Sequence, residues 1–158
     1  MSHHLLPEVD RTWLRAVTNC FLIRDPQDVL ASYTRKNHEP AAEDLGFIQQ
    51  ADIFDAVHSI TGTIPPVIDA ADVLRDARRT LHLLCKAVGV EFTDAMLSWP
   101  PGRRSTDGVW AKHWYAEVER STGFRPFQQR NRQVPAKLRD VYDCCQSIYE
   151  RLRAKRLQ

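Results

Sequence analysis

The apolar run Asn19 to Ile23 stops abruptly at Arg24-Asp25-Pro26. A short apolar run bounded in this way reads as a buried strand. A helix has to begin in the very next residues. Asp25 is a good capping residue, Pro26 suits the first helical position, and Asp28 favours the positive end of the helix. A weaker copy of the pattern follows downstream, where Pro65-Pro66 leads into the short strand Val67-Ile68 and a helical turn over Asp69 to Asp76. Strands that each feed a helix predict a parallel sheet with helices on both faces. Two strands make a poor sheet, so the pattern also suggests that part of the usual architecture is missing upstream.

The remaining elements are mostly helical. Leu5 to Ala16 has the spacing of a short amphipathic helix. The helix opened by Asp25 runs to about Asn37, and His38 to Asp44 forms a polar loop. Leu45 to Thr61 is a helix with Ile53, Phe54, Val57 and Ile60 on one face, ended by Gly62. Arg78 to Val88 carries Leu81, Leu84, Cys85 and Val88 on one stripe and ends at Gly89. Trp99 to Gly102 is a turn, Arg103 to Val109 a loop, and a helix is expected around Trp110 to Arg120. After the polar linker Arg125 to Val134 comes the clearest helix. Leu138, Val141, Tyr142, Cys145, Ile148, Tyr149 and Leu152 form an unbroken apolar stripe.

Composition narrows the function. The 158 residues suit one domain, and a net charge of +2 is too small for a general nucleic-acid binder. No apolar run reaches the ~20 residues of a membrane span, and no signal-peptide core is present, so a cytoplasmic location is expected. Cys20 and Cys85 read as reduced core residues. Cys144-Cys145 puts one thiol into a helix core and the other near its edge, and no Cys-x-x-Cys spacing suggests a zinc site.

The chemistry concentrates in residues 21–33. In parallel α/β proteins ligands bind beyond the carboxyl ends of the strands, and Arg24 stands at such an end. The N–H groups opening the next helix favour an anion, and the guanidinium adds a charged fork suited to phosphate. Ser32, eight residues after Arg24, offers a hydroxyl two turns into the helix. Together they can hold a phosphate monoester without a metal. The structural alternative is a salt-bridged surface arginine and an ordinary helix serine.

A strand ending in Arg, a capped helix, and a Ser eight residues on followed by Tyr33 resembles the 3′-phosphate motif of the sulfotransferases. Pro66 to Val90 resembles that family's later strand and leucine-rich helix, and Trp99 to Tyr115 a bacterial sulfotransferase-like group. The similarity spans residues 18–124. It implies a partial three-layer, P-loop-like α/β domain over residues 1–158. It also implies binding of 3′-phosphoadenosine 5′-phosphosulfate, or of adenosine 3′,5′-bisphosphate, through Arg24 and Ser32. Arg103 and Arg104 are the expected counterparts of the family's C-terminal arginine loop, and a solvated basic turn is the alternative for them.

The family's Gly/Ser/Thr-rich 5′-phosphosulfate loop has no counterpart. None of Gly46, Gly62, Gly89, Gly102, Gly108 and Gly123 stands in a Ser/Thr-rich strand–loop–helix element. The expectation is therefore a single domain lacking the N-terminal phosphate-loop strand and helix. Sulfuryl transfer to a hydroxyl or amine would then be absent or incomplete in this chain. His3 and His4 lie near the place of the family's catalytic histidine but read as a solvated terminus, so no catalytic residue is assigned. The aromatic group Trp110, His113, Trp114 and Tyr115 reads as core packing. Asp69, Asp72 and Asp76 read as helix caps, and no metal is expected. The alternatives are a non-catalytic nucleotide-binding remnant and a helix-rich interaction protein. An exposed sheet edge would favour a homo-oligomer, with neither nucleic acid nor membrane as partner.

Overall fold

The computed structural model describes residues 5–35, 39–109, 115–129 and 132–158. Strands β1 (Phe21–Ile23) and β2 (Val67–Asp69) pair in parallel, with Phe21 opposite Val67, Leu22 opposite Ile68 and Ile23 opposite Asp69. The helices are α1 (Pro26–Tyr33), α2 (Phe47–Thr61), α3 (Ala70–Arg75), α4 (Ala77–Val88), α5 (Ala116–Glu119) and α6 (Arg139–Arg153). This is the expected α/β arrangement: a short parallel sheet in a mainly helical chain.

Several boundaries differ from expectation or are only partly described. No helix fills Leu5 to Ala16; only a 3-10 helix over Thr12–Ala16 forms. The Asp10 carboxylate accepts from both the Thr12 N–H at 3.0 Å and its hydroxyl at 2.6 Å. Such a local bond competes with helix propagation and starts a new turn instead. Helix α1 stops at Tyr33, short of Asn37, with the Thr34 N–H closing on the Leu30 carbonyl at 2.9 Å. Of the helix expected around Trp110 to Arg120, α5 is the described part; residues 110–114 lie outside the described residues. The glycine stops hold as read: Gly62 (φ 71°) and Gly89 (φ 73°) both close their helices in the left-handed conformation.

One face of the sheet is buried. Phe21, Ile23 and Val67 meet Phe47, Ile53, Phe54 and Val57 of α2 and Cys145, Tyr149 and Leu152 of α6 in a single cluster. Phe21 and Phe54 meet edge to face, with centroids 5.3 Å apart. The stripe read along the last helix is what builds this core. On the opposite face, Ile68 is buried while its neighbour Leu22 is 57% exposed. Helices on both faces are thus only partly realised. Along the edges, β2 gains a further partner from the end of the chain: Leu157 N–H donates to the Val67 carbonyl at 2.8 Å, and Arg156 bridges Val67 in parallel. Among the described residues β1 has a strand on one side only; on its other side Gln50 of α2 donates to the Leu22 carbonyl at 2.9 Å.

A buried polar lock ties the carboxyl end of the sheet to α6. Asp69 is 1% exposed. Its carboxylate caps α3 by accepting the Ala71 N–H at 2.8 Å, and it also accepts the Tyr149 hydroxyl at 2.6 Å. Arg153 Nε stands 3.5 Å away as its counter-charge. Burial, followed by the hydrogen bond to Asp69, pushes the Tyr149 phenol well above its ordinary pKa.

Candidate functional site

Because Ile23 pairs with Asp69, the lock fixes the point where β1 ends and Arg24 begins. Arg24 emerges there into solvent, half exposed, and its Nη2 lies 3.8 Å from Asp28 Oδ2. Exposed pairs of this kind contribute little to stability, so the guanidinium can exchange its partner at small cost. Ser32 is exposed in the last turn of α1, on the same helix face as Asp28, four residues away and about 6 Å along the axis. Arg24, Asp28 and Ser32 therefore share one side of the strand–helix junction.

The helix N-terminus itself contributes less than its sequence suggests. Asp25 Oδ1 accepts the Gln27 N–H at 2.7 Å, and the Asp25 carbonyl accepts the N–H groups of Asp28 and Val29, each at 3.1 Å. Pro26 has no N–H to offer. The backbone donors of the first turn are thus taken by the cap, and an anion here has to be held by side chains.

A second cation arrives from a segment that sequence reasoning left as a polar linker. Arg132 Nε lies 3.6 Å from Asp28 Oδ1. Its main chain is clamped by Gln27, whose amide nitrogen donates to the Arg132 carbonyl while its amide oxygen accepts the Arg132 N–H. The buried Nε makes no hydrogen bond within the protein. Gln27, Arg132, Gln133, Val134, Arg139 and Tyr142 line a cleft of about 420 Å³ beside the first turn of α1. Burial, then the nearby Asp25 carboxylate, raises the Tyr142 phenol above its usual pKa, so it remains a neutral hydroxyl. Arg24, Arg132 and Arg139 supply the cations of this junction, set among the carboxylates of Asp25, Asp28, Asp143 and Glu150. In a second cleft of about 440 Å³, between α4 and Phe92, Arg78 pairs with Asp94 at 2.5 Å and Asp76 caps α4.

The sequence matches the family described as "Sulfotransferase domain" over residues 1–156. The chain belongs to the sulfotransferase domain family. Two plant proteins match this sulfotransferase domain, both from Arabidopsis thaliana. Branched-chain-amino-acid aminotransferase-like protein 1 is 36% identical over 133 residues, covering 84% of this chain and 24% of that protein. Branched-chain-amino-acid aminotransferase-like protein 2 is 34% identical over 132 residues, covering 84% and 23%. The chain spans about a quarter of the length of these curated relatives. No solved structure gives a significant match.

The other residues singled out in this sulfotransferase domain fall elsewhere. Arg103 and Arg104 are exposed on the stretch between Ser98 and Gly123, which is closed at its base by a Ser98–Gly123 bridge. There, Trp99 donates to Ser121 Oγ at 3.0 Å and meets Phe124 edge to face. Among the described residues no hydrogen bond or ion pair joins Arg103 or Arg104 to α1. Their local turn is held by Asp107, which accepts the Arg104 N–H at 2.8 Å. His3, His4, Trp110, His113 and Trp114 lie outside the described residues. Asp69 and Asp76 cap helices, as read, and Asp72 pairs with Arg75 at 3.1 Å and Arg156 at 2.9 Å. Among the described residues no group of three or more His, Cys, Asp or Glu is placed to hold a metal. No described helix is long and apolar enough to cross a membrane.

Cysteine placement corrects one expectation. Cys20 is exposed, because it precedes β1 on the extended approach to the sheet instead of lying within it. Cys85 is buried, and the Cys144-Cys145 pair splits as expected into an exposed and a buried thiol. Burial pushes the Cys145 thiol up to about 11, which keeps it protonated and unreactive.

Proposed function

We propose that this sulfotransferase domain binds the 3′-phosphate of 3′-phosphoadenosine 5′-phosphosulfate, or of adenosine 3′,5′-bisphosphate, at the junction of β1 and α1. Arg24 and Ser32 are the residues that hold the phosphate, and Arg132 is a third. The observation that carries this reading is the convergence of two guanidinium groups on one carboxylate. Arg24 and Arg132, more than a hundred residues apart in sequence, both stand within 4 Å of Asp28. Arg132 Nε makes no hydrogen bond within the protein and has the Asp28 carboxylate, at 3.6 Å, as its counter-charge. A dianionic phosphate monoester supplies the charge and the acceptor oxygens that two forked donors require.

Sulfuryl transfer needs donors around the 5′-phosphosulfate as charge develops on the departing phosphate oxygen. None of the six glycines stands in a Ser/Thr-rich strand–loop–helix element. We therefore assign the 5′ contacts to residues outside this stretch, and propose that these 158 residues alone bind the nucleotide without turning it over. Four free cysteines fit a reducing compartment, which supports a cytoplasmic site of action.

Thermal unfolding with adenosine 3′,5′-bisphosphate tests the assignment, with adenosine 5′-monophosphate as comparator. A ligand at a hundredfold excess over its Kd contributes about 2.7 kcal/mol, or roughly 5 to 10 °C in midpoint for a domain of this size. The bisphosphate should give such a shift, the monophosphate a much smaller one, and Arg24→Ala should abolish it. No shift at millimolar bisphosphate would remove the nucleotide reading.

A further inference from the structure

We propose that Asp28 is a positioning residue whose carboxylate brackets Arg24 and Arg132 and sets their guanidinium groups as a pair for one phosphate. The inference rests on the nucleotide reading above and deepens it. The two arginines use different oxygens of the same carboxylate: Arg24 Nη2 is 3.8 Å from Oδ2, and Arg132 Nε is 3.6 Å from Oδ1. Both can therefore be oriented at once.

Both distances exceed hydrogen-bond length, so neither fork is closed on Asp28. Arg151 and Asp55 show the contrast on the same molecule. There both guanidinium nitrogens grip both oxygens at 2.9 and 3.1 Å, and the fork is spent on its partner. Asp28 steers without consuming the donors. The backbone anchors are already in place, since β1 fixes Arg24 and the Gln27 amide clamps the Arg132 main chain. Beyond those anchors, Asp28 is the ion-pair partner of each long side chain among the described residues. Ordering such chains before the ligand arrives removes a cost that binding would otherwise carry.

The proposal makes a prediction of unusual sign. A carboxylate that did nothing but stand near a bound phosphate would repel it, and neutralising it would tighten binding. A carboxylate that orients the two cations does the opposite when removed. Titration calorimetry on the full chain with adenosine 3′,5′-bisphosphate separates the two, using wild type, Asp28→Asn, Arg132→Ala and the double variant. Asp28→Asn should weaken the bisphosphate by about tenfold, the effect of leaving two side chains to be ordered on binding. It should leave adenosine 5′-monophosphate unchanged. In the Arg132→Ala background the same substitution should cost threefold or less, because one of the two bracketed groups is gone.

Ligand-free melting of each variant separates folding from binding, and Asp28→Ser serves if Asp28→Asn fails to fold. Equal or tighter binding by Asp28→Asn overturns the proposal while wild-type binding keeps the phosphate site. A full tenfold loss persisting in Arg132→Ala also overturns it. Failure of wild type to bind the bisphosphate overturns both.

Discussion

Replacing Tyr149 by phenylalanine deletes a single hydroxyl from the buried lock and leaves the ring in the core. That hydroxyl donates to Asp69 at 2.6 Å, and the Asp69 carboxylate is 1% exposed. Water cannot take its place, so the carboxylate keeps only the Ala71 N–H and the more distant Arg153. A hydrogen bond to a buried charge is worth about 1.5 to 3 kcal/mol. A loss of about 2 kcal/mol lowers the midpoint of a 150- to 250-residue protein by roughly 4 to 8 °C. The pH dependence is a second signature. The folded protein holds the Tyr149 proton more tightly than an unfolded chain, whose phenol titrates near 10.0. The stabilisation is therefore fully present below pH 10 and drains away as pH rises beyond it. Urea unfolding followed by tryptophan fluorescence at pH 8 and again at pH 10.8 measures both effects. The difference between wild type and Tyr149→Phe should be about 2 kcal/mol at pH 8 and smaller at pH 10.8. A difference under about 0.5 kcal/mol at pH 8 would refute the lock.

Two further outcomes are expected. Gly89→Ala should destabilise by about 1 kcal/mol in the same urea assay, purely through its left-handed backbone, because an added Cβ meets nothing within 4 Å. Iodoacetamide at pH 8, read by peptide mass spectrometry, should modify Cys20 and Cys144 quickly and leave the buried Cys85 and Cys145 slow until urea is added.

The junction at Arg24-Asp25-Pro26 and the stripe of the last helix were legible because each is a local pattern with one physical solution. Cap, first-turn proline and apolar face all agree there, and the structure follows them. The Asp10–Thr12 turn was harder to read, since apolar spacing carries no trace of a side chain competing for the backbone. Cys20 was misplaced for a related reason: an apolar run does not show where strand pairing begins, and only Phe21 onward is paired. Within the site, Arg24 and Ser32 could be picked out because their spacing is local. Arg132 could not. It comes to Asp28 only through tertiary packing, and no pattern along the linker distinguishes it from Arg125, which pairs with Glu117 instead. The preceding Gln27 is the one sequence-level hint, as an amide in a first helical turn that has both a donor and an acceptor to spend.

The bond between Leu157 and Val67 also bears on how the protein is made. A ribosome delivers the strand well before its outer neighbour. The same holds for Cys145, Tyr149 and Leu152, which complete the cluster around β1. During translation the nascent chain therefore carries a sheet with a bare flank and half a core, and contacts so distant in sequence form slowly. A product released before residue 157 would show an unpaired edge to its neighbours, the usual starting point of aggregation. Folding of this sheet is thus coupled to the emergence of residue 157, and chains that include it should partition to the soluble fraction where chains cut just before it do not.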